Sequence, residues 1–216
     1  MTSVGWFDLG VAVTAFALVF PAELPDKTFV ATLVLATRFR PLWAWTGVVL
    51  AFAVQCTIAV TAGGLLSLLP GRWVAALSAT LFAAGAVLML RSGLAGRRAA
   101  QETEAAEEAQ YAEAAERAAA GGASALRQIA ASFGVLFLAE WGDLSQLLTA
   151  GLAASTGEPL SVGVGAWLAL ASVAGIAVTA GRWLTARVPL HRVSLVSAGI
   201  LAVLAAITGY EALTGG

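Results

Sequence analysis

The sequence predicts an all-α membrane protein in which six transmembrane helices form two inverted-topology three-helix repeats. Three observations lead there. Of 216 residues, 59% are hydrophobic and only 12% are charged, about half the charged share of an ordinary soluble domain. A single soluble core cannot bury that much apolar surface, so the excess faces lipid. Six segments reach the ~20 mostly apolar residues that a helix needs to cross a bilayer. The first three segments also match the last three, residue by residue, in places where chance is a poor explanation.

The segments run over residues 8–36, 42–68, 72–92, 127–154, 161–185 and 190–213. The first is long enough to tilt or to contain a break. Turn signals separate the others: Arg40-Pro41, Pro70-Gly71, Gly157-Glu158-Pro159 and Val188-Pro189. Met1 to Asp8 carries no basic residue ahead of an apolar run, so no cleaved signal peptide is expected. Between the third and fourth segments the composition changes. Residues 94–125 hold Arg97, Arg98, Glu102, Glu104, Glu107, Glu108, Glu113, Glu116 and Arg117 among many alanines. Alanine and glutamate favour a helix, Glu113 and Arg117 form an i,i+4 pair, and Gly121-Gly122 ends it. A charge run of this kind reads as a solvated linker, dispensable for ion binding. The chain thus divides into a first repeat (1–93), a charged linker (94–125) and a second repeat (126–216).

The basic residues set the orientation. With the linker in the cytoplasm, Arg38, Arg40, Arg91, Arg97, Arg98, Arg117, Arg127, Arg182, Arg187 and Arg192 all lie inside. Arg72 alone lies in an outer loop and Lys27 within a span. Such a bias places both termini outside the cytoplasm, in a multi-pass protein of the cell (inner) membrane. Trp6, Trp43, Trp45, Trp73 and Trp183 fall near segment ends and read as interface anchors.

The internal match is specific. Phe16, Phe20, Ala22, Glu23, Asp26, Thr32, Leu35 and Ala36 align with Phe133, Phe137, Ala139, Glu140, Asp143, Thr149, Leu152 and Ala153 at a constant offset of 117. Ile-Ala-Val-Thr-Ala-Gly occurs at 58–63 and again at 176–181, at an offset of 118. Each half has an odd number of spans, so the second half enters the membrane reversed. This is the plan of many secondary transporters, whose sites lie between the repeats and whose paired helices are interrupted. Pro21 and Pro25 mark the interruption in the first segment, and Gly142 marks it in the fourth.

Of 13 acidic residues, only Glu23, Asp26, Glu140 and Asp143 sit well inside predicted spans. A charge at the bilayer centre costs at least about 2.5 kcal/mol on insertion scales, so four of them require a compensating role. Their i,i+3 spacing predicts that each pair shares a helix face. Pro25 has no N–H, which removes the helical partner of the Pro21 carbonyl and suggests that carbonyl as a further cation ligand. Thr28 and Ser145 add hydroxyls, as do Thr32 and Thr149 one turn on, while Gln55 and Gln146 add amide oxygens.

All these ligands are oxygen, which suits Mg, Ca and Mn, whereas Zn and Cu prefer imidazole or thiolate. Cys56 and His191 are the chain's single cysteine and single histidine, so neither a disulfide within the chain nor a Cys/His metal cluster is available. With Lys27 as the one embedded base, four ionised carboxylates leave a net charge of −3 in the site. Desolvation and like-charge repulsion then favour protonated acids when the site is empty. A site that holds either protons or a divalent cation is the core of an antiporter. The expected partners are therefore the cation, protons and the lipid bilayer. No permanently bound cofactor is expected, and self-association into a homo-oligomer stays open. The net charge of −1 offers no case for nucleic-acid binding.

The segments Glu23-Leu24-Pro25-Asp26-Lys27-Thr28 and Glu140-Trp141-Gly142-Asp143-Leu144-Ser145 resemble the paired signature E-x-G-D-K/R-T/S. That signature marks the Gdt-type cation/proton exchangers (uncharacterised protein family 0016), which include bacterial manganese exporters of the MneA type. The resemblance covers nearly the whole chain. It implies export of Mn²⁺ or Ca²⁺ against protons, with Glu23, Asp26, Glu140 and Asp143 binding the ion and Thr28 and Ser145 assisting. Two positions depart from the signature: Pro25 stands for the usual Gly, and Leu144 for the usual Lys or Arg. The alternatives fit less well. An exporter of small organic cations or amino acids calls for a larger cavity with a lone carboxylate. A non-transporting assembly factor needs no symmetric acid quartet. An intramembrane aspartyl protease needs G-x-G-D, where residue 140 here is Glu, so no enzyme is expected.

Overall fold

The computed structural model describes residues 3–4, 7–24, 27–94, 96–119, 124–187 and 190–214. Pro25, Asp26, Gly121-Gly122 and Val188-Pro189 lie outside them, as do the side chains of Lys27, Trp183 and His191. The described helices are α1 (Leu9–Glu23), α2 (Lys27–Arg38), α3 (Pro41–Leu66), α4 (Gly71–Leu94), α5 (Gly96–Ala119), α6 (Ala125–Ala139), α7 (Leu144–Thr156), α8 (Pro159–Arg187) and α9 (Leu190–Thr214). A minimal ladder of β1 (Ser3–Val4) and β2 (Phe7–Asp8) precedes them, antiparallel, with Val4 opposite Phe7. The sequence gives no sign of that ladder.

Local chemistry sets the helix ends. The Asp8 carboxylate caps α1, accepting from the Gly10 and Val11 N–H groups at 2.7 and 3.1 Å. Pro41 and Pro159 open α3 and α8, at the position where a missing N–H costs nothing. The helices α3, α4 and α8 contain apolar stretches long enough to cross a bilayer, with mean hydropathies of 2.0, 2.0 and 1.9. Together α1 and α2 make a fourth span, bent by 72° at the break between them. A second break divides α6 from α7. With α9, whose residues 198–214 form a shorter apolar helix, these elements account for the six expected segments, the first and fourth broken.

The packing is that of two equivalent halves. The contacts cross between the repeats: α3 of the first packs on α6 and α7 of the second, and α8 of the second on α1 and α2 of the first. The remaining partners pair with their own equivalents, α3 with α8 and α4 with α9. The Trp45 indole N–H donates to the Ala171 carbonyl at 3.1 Å, and the Trp167 indole N–H to the Val49 carbonyl at 3.1 Å. As the residue number rises along α3 it falls along α8. The two equivalent helices are therefore antiparallel, and the second repeat is inverted. Trp45 is consequently a contact inside the bundle and not the lipid anchor its position suggested. Trp73 keeps the interfacial pattern: it is exposed and lies 5.2 Å beneath the Arg72 guanidinium.

Two glycines show how closely the halves repeat. A Cβ on Gly47 would stand 2.3 Å from the Ile129 carbonyl oxygen and 2.8 Å from the Ser132 Cβ. A Cβ on Gly165 would stand 2.1 Å from the Ala12 oxygen and 3.0 Å from the Ala15 Cβ. Gly47 and Gly165 are equivalent positions, and so are the residues they meet. Backbone against backbone leaves no side chain to yield, which is the small-residue mode of helix packing in membranes. Gly165→Ala should cost about 1–3 kcal/mol by overpacking. Gly199→Ala, where a Cβ meets open space, should be neutral or stabilising through its helix propensity. Melting temperatures of the two variants in detergent check this.

The linker differs from its expectation. It is helical, as α5, but it is not wholly solvated. It packs on α2 and α6, and Tyr111 and Ala115 join the main core, with Tyr111 only 8% exposed. The Arg38 guanidinium meets the Glu116 carboxylate at 2.7 Å, and Arg117 pairs with Glu113. A lone tyrosine among alanines and glutamates supplies the apolar anchor. On the opposite face of the bundle, a cavity of about 590 Å³ opens between the start of α1, the end of α7 and the start of α8. Asp8, Thr14 and Thr156 contribute its polar groups.

Candidate functional site

The site elements are the two helix breaks. Phe16 stacks on Phe20 and Phe133 on Phe137, each pair at 5.4 Å between ring centroids. These equivalent stacks stiffen the last turns of α1 and α6. Directly beyond them stand Glu23, the last residue of α1, and Glu140, the C-cap of α6. Both are deeply buried, at 1% and 2% exposure. Asp143 is partly buried and forms the N-cap of α7.

The expected i,i+3 helix face therefore does not exist in the second half. Glu140 ends one helix and Asp143 begins the next, with a turn between them. The reason is Gly142, whose φ of +75° takes the backbone out of the right-handed helix. The two positions differ electrostatically: Asp143 lies at the positive end of α7, which favours a carboxylate, while Glu140 lies at the negative end of α6, which favours a cation beside it. A cation between half-helices meets this same pairing in broken-helix transporters. In the first half Glu23 ends α1 and Lys27 begins α2, while Asp26 lies outside the described residues.

The hydroxyls follow in register. Thr28 and Thr32 in α2 are buried, as are Ser145 and Thr149 in α7. The Thr32 hydroxyl donates to the Thr28 carbonyl at 2.8 Å, which commits its proton to the helix. Pro21 is half-buried within α1, where its missing N–H removes a helical bond to Ala17. Gln55, buried on α3, donates its amide to the Phe137 carbonyl at 3.3 Å. The neighbouring Cys56 is buried on the same helix. Gln146 donates to the Glu140 carbonyl at 2.5 Å and accepts from the Gly142 N–H at 3.4 Å. Of the two amide oxygens expected as ligands, that of Gln146 accepts from the Gly142 backbone, while Gln55 meets backbone through its NH2 group.

Glu23, Glu140 and Asp143 are not gathered into a cage. Among the described residues no group of three or more His, Cys, Asp or Glu side chains could hold a metal ion.

Buried acids at the ends of two equivalent half-helices, in an inverted-repeat bundle, define the class: a membrane transporter of the broken-helix kind. Residues 11–97 and 128–216 match the family described as divalent cation/proton antiporter GDT1, and the chain belongs to that family. It is 31% identical over 200 residues to the GDT1-like protein sll0615 of Synechocystis sp., covering 89% of this chain and 93% of the relative. It is 30% identical over 214 residues to the chloroplastic protein PAM71 of Arabidopsis thaliana. That match covers 93% of this chain and 57% of PAM71. To the chloroplastic GDT1-like protein 1 of Oryza sativa subsp. indica it is 32% identical over 209 residues, covering 92% of this chain and 61% of the relative. The chain thus spans about three fifths of the plant relatives' length. No solved structure matches it.

Proposed function

We propose that this divalent cation/proton antiporter exports Mn²⁺ or Ca²⁺ from the cytoplasm in exchange for protons. Glu23, Asp26, Glu140 and Asp143 bind the ion, and Thr28 and Ser145 assist. The observation that carries the reading is the burial of Glu23 and Glu140 at the matching ends of α1 and α6. Charges held so deep in a membrane protein persist where they handle ions. Protons replace the ion on the same oxygens during the return step, which couples the two fluxes.

The oxygen donors favour hard cations over thiophilic metals. Ion flux into proteoliposomes under an imposed pH gradient tests the reading, comparing Mn²⁺, Ca²⁺, Mg²⁺ and Zn²⁺. Proton-coupled flux of Mn²⁺ or Ca²⁺ well above that of Zn²⁺ supports it. Zn²⁺ as the best substrate, or flux indifferent to the pH gradient, refutes it.

The proposed topology has the linker helix in the cytoplasm, both termini outside and the protein in the cell membrane, on the strength of the arginine distribution. Ala112→Cys on α5 should accordingly resist an impermeant thiol reagent added to intact cells and react after permeabilisation. Labelling from outside would reverse the orientation.

A further inference from the structure

The two halves superpose in sequence and in packing, yet around the helix ends their chemistry is opposite. In the second half, the end of α6 is held by two side-chain amides, Gln55 on the Phe137 carbonyl and Gln146 on the Glu140 carbonyl. Gln146 also receives the Gly142 N–H, so it spans the whole break. Near the α1–α2 break, the position equivalent to Gln55 is Val173 of α8, and the position equivalent to Gln146 is Phe29 of α2. Both are fully buried, and they pack together with Ala177, Phe20 and Leu24 in a small apolar cluster of their own. A polar clamp on one side of the pseudo-twofold axis is thus replaced by an apolar plug on the other.

The clamp meets a physical need. The last carbonyls of a helix have no partner within it, and at membrane depth they must find one. Gly142 adds backbone freedom at the same place. The Asp143 N–H closes this turn on the Glu140 carbonyl at 3.3 Å, and Gln146 adds a side-chain brace across it. Ligand sets depend on such supporting hydrogen bonds, whose loss typically lowers metal affinity by about 10–100-fold.

We propose that Gln55 and Gln146 are positioning residues that fix the α6–α7 break, so that Glu140 and Asp143 meet the cation in one geometry. Phe29 and Val173, at the positions equivalent to the glutamines, pack in an apolar cluster. The inference rests on the carboxylate site described above. It assigns the NH2 groups of both glutamines to the backbone carbonyls at the end of α6.

The test is cation/proton exchange by the full-length chain in proteoliposomes, read as the Mn²⁺ (or Ca²⁺) concentration giving half-maximal rate and as the maximal rate. Melting temperature is measured beside it. Gln146→Met and Gln55→Met keep side-chain length and remove the amide donor. Each should raise the half-maximal concentration about tenfold while the maximal rate stays within about twofold. Phe29→Met should lower the melting temperature and leave the half-maximal concentration unmoved. The inference is overturned if both glutamine variants stay within twofold of wild type at half-maximum, if Phe29→Met shifts it as far as they do, or if neither glutamine variant folds. Glu140→Gln separates this inference from its premise. If Glu140→Gln leaves cation dependence unchanged, the carboxylate site itself is wrong. If it abolishes exchange while Gln146→Met changes nothing, only the clamp falls.

Discussion

Asp143→Asn should lower cation/proton exchange by on the order of a hundredfold or more, and Asp26→Asn, Glu23→Gln and Glu140→Gln should do the same. Supporting groups around a metal are worth about 10–100-fold in affinity, and a direct ligand that also carries a proton is worth more. An amide supplies one neutral oxygen and accepts no proton, so it replaces neither role. The fold should survive. Removing one of several crowded negative charges relieves repulsion in the empty state, and each amide is close in volume to the acid it replaces. Exchange assays in proteoliposomes, with elution profile and circular dichroism as controls, separate lost transport from lost folding. A variant that is folded and exchanges at the wild-type rate would remove that carboxylate from the site.

The second large effect is on pH. Protons and the cation compete for the same carboxylate oxygens, so cation affinity must fall as pH falls. For each proton displaced on binding, affinity should drop about tenfold per pH unit while the acids titrate. The sign is fixed by the chemistry: lower pH fills the oxygens with protons, and a neutral acid is a poor ligand for a hard cation. Asp26→Asn and Asp143→Asn each remove a carboxylate for which protons and the cation compete, so each should flatten the pH dependence. Binding isotherms at two pH values on wild type and both variants measure this.

Much of this arrangement is legible in the sequence because it depends on residues that membranes exclude. Glu23, Glu140 and Asp143 announce themselves in apolar runs, and Gly142 explains one break before any coordinates are seen. The repeat follows from the equal spacing of the two motifs, and inversion follows from counting spans. What is not legible depends on which apolar residue faces lipid and which faces protein. In water, burial and hydrophobicity go together, whereas in a bilayer both faces of a helix are apolar. Trp45 and Trp73 look alike in sequence, yet one donates into the bundle and the other lies exposed under Arg72. Tyr111 reads as a stray aromatic in a charged helix and proves to be its anchor. The glutamines were recognisable as polar groups within spans. Their partners were not, since a backbone carbonyl at a helix break exists only once the break has a shape. The i,i+3 argument failed at Glu140 and Asp143 for the same reason, as it assumed a helix that Gly142 interrupts.

The central claim is that the acids of both halves serve a single ion, and the stoichiometry of binding tests it most directly. Calorimetric titration of Mn²⁺ into the purified chain should give one ion bound per chain. Either Glu23→Gln or Glu140→Gln alone should remove that binding, because each half supplies part of one ligand set. Two ions per wild-type chain, with one retained at full affinity after Glu23→Gln, would mean two independent sites and would contradict the account.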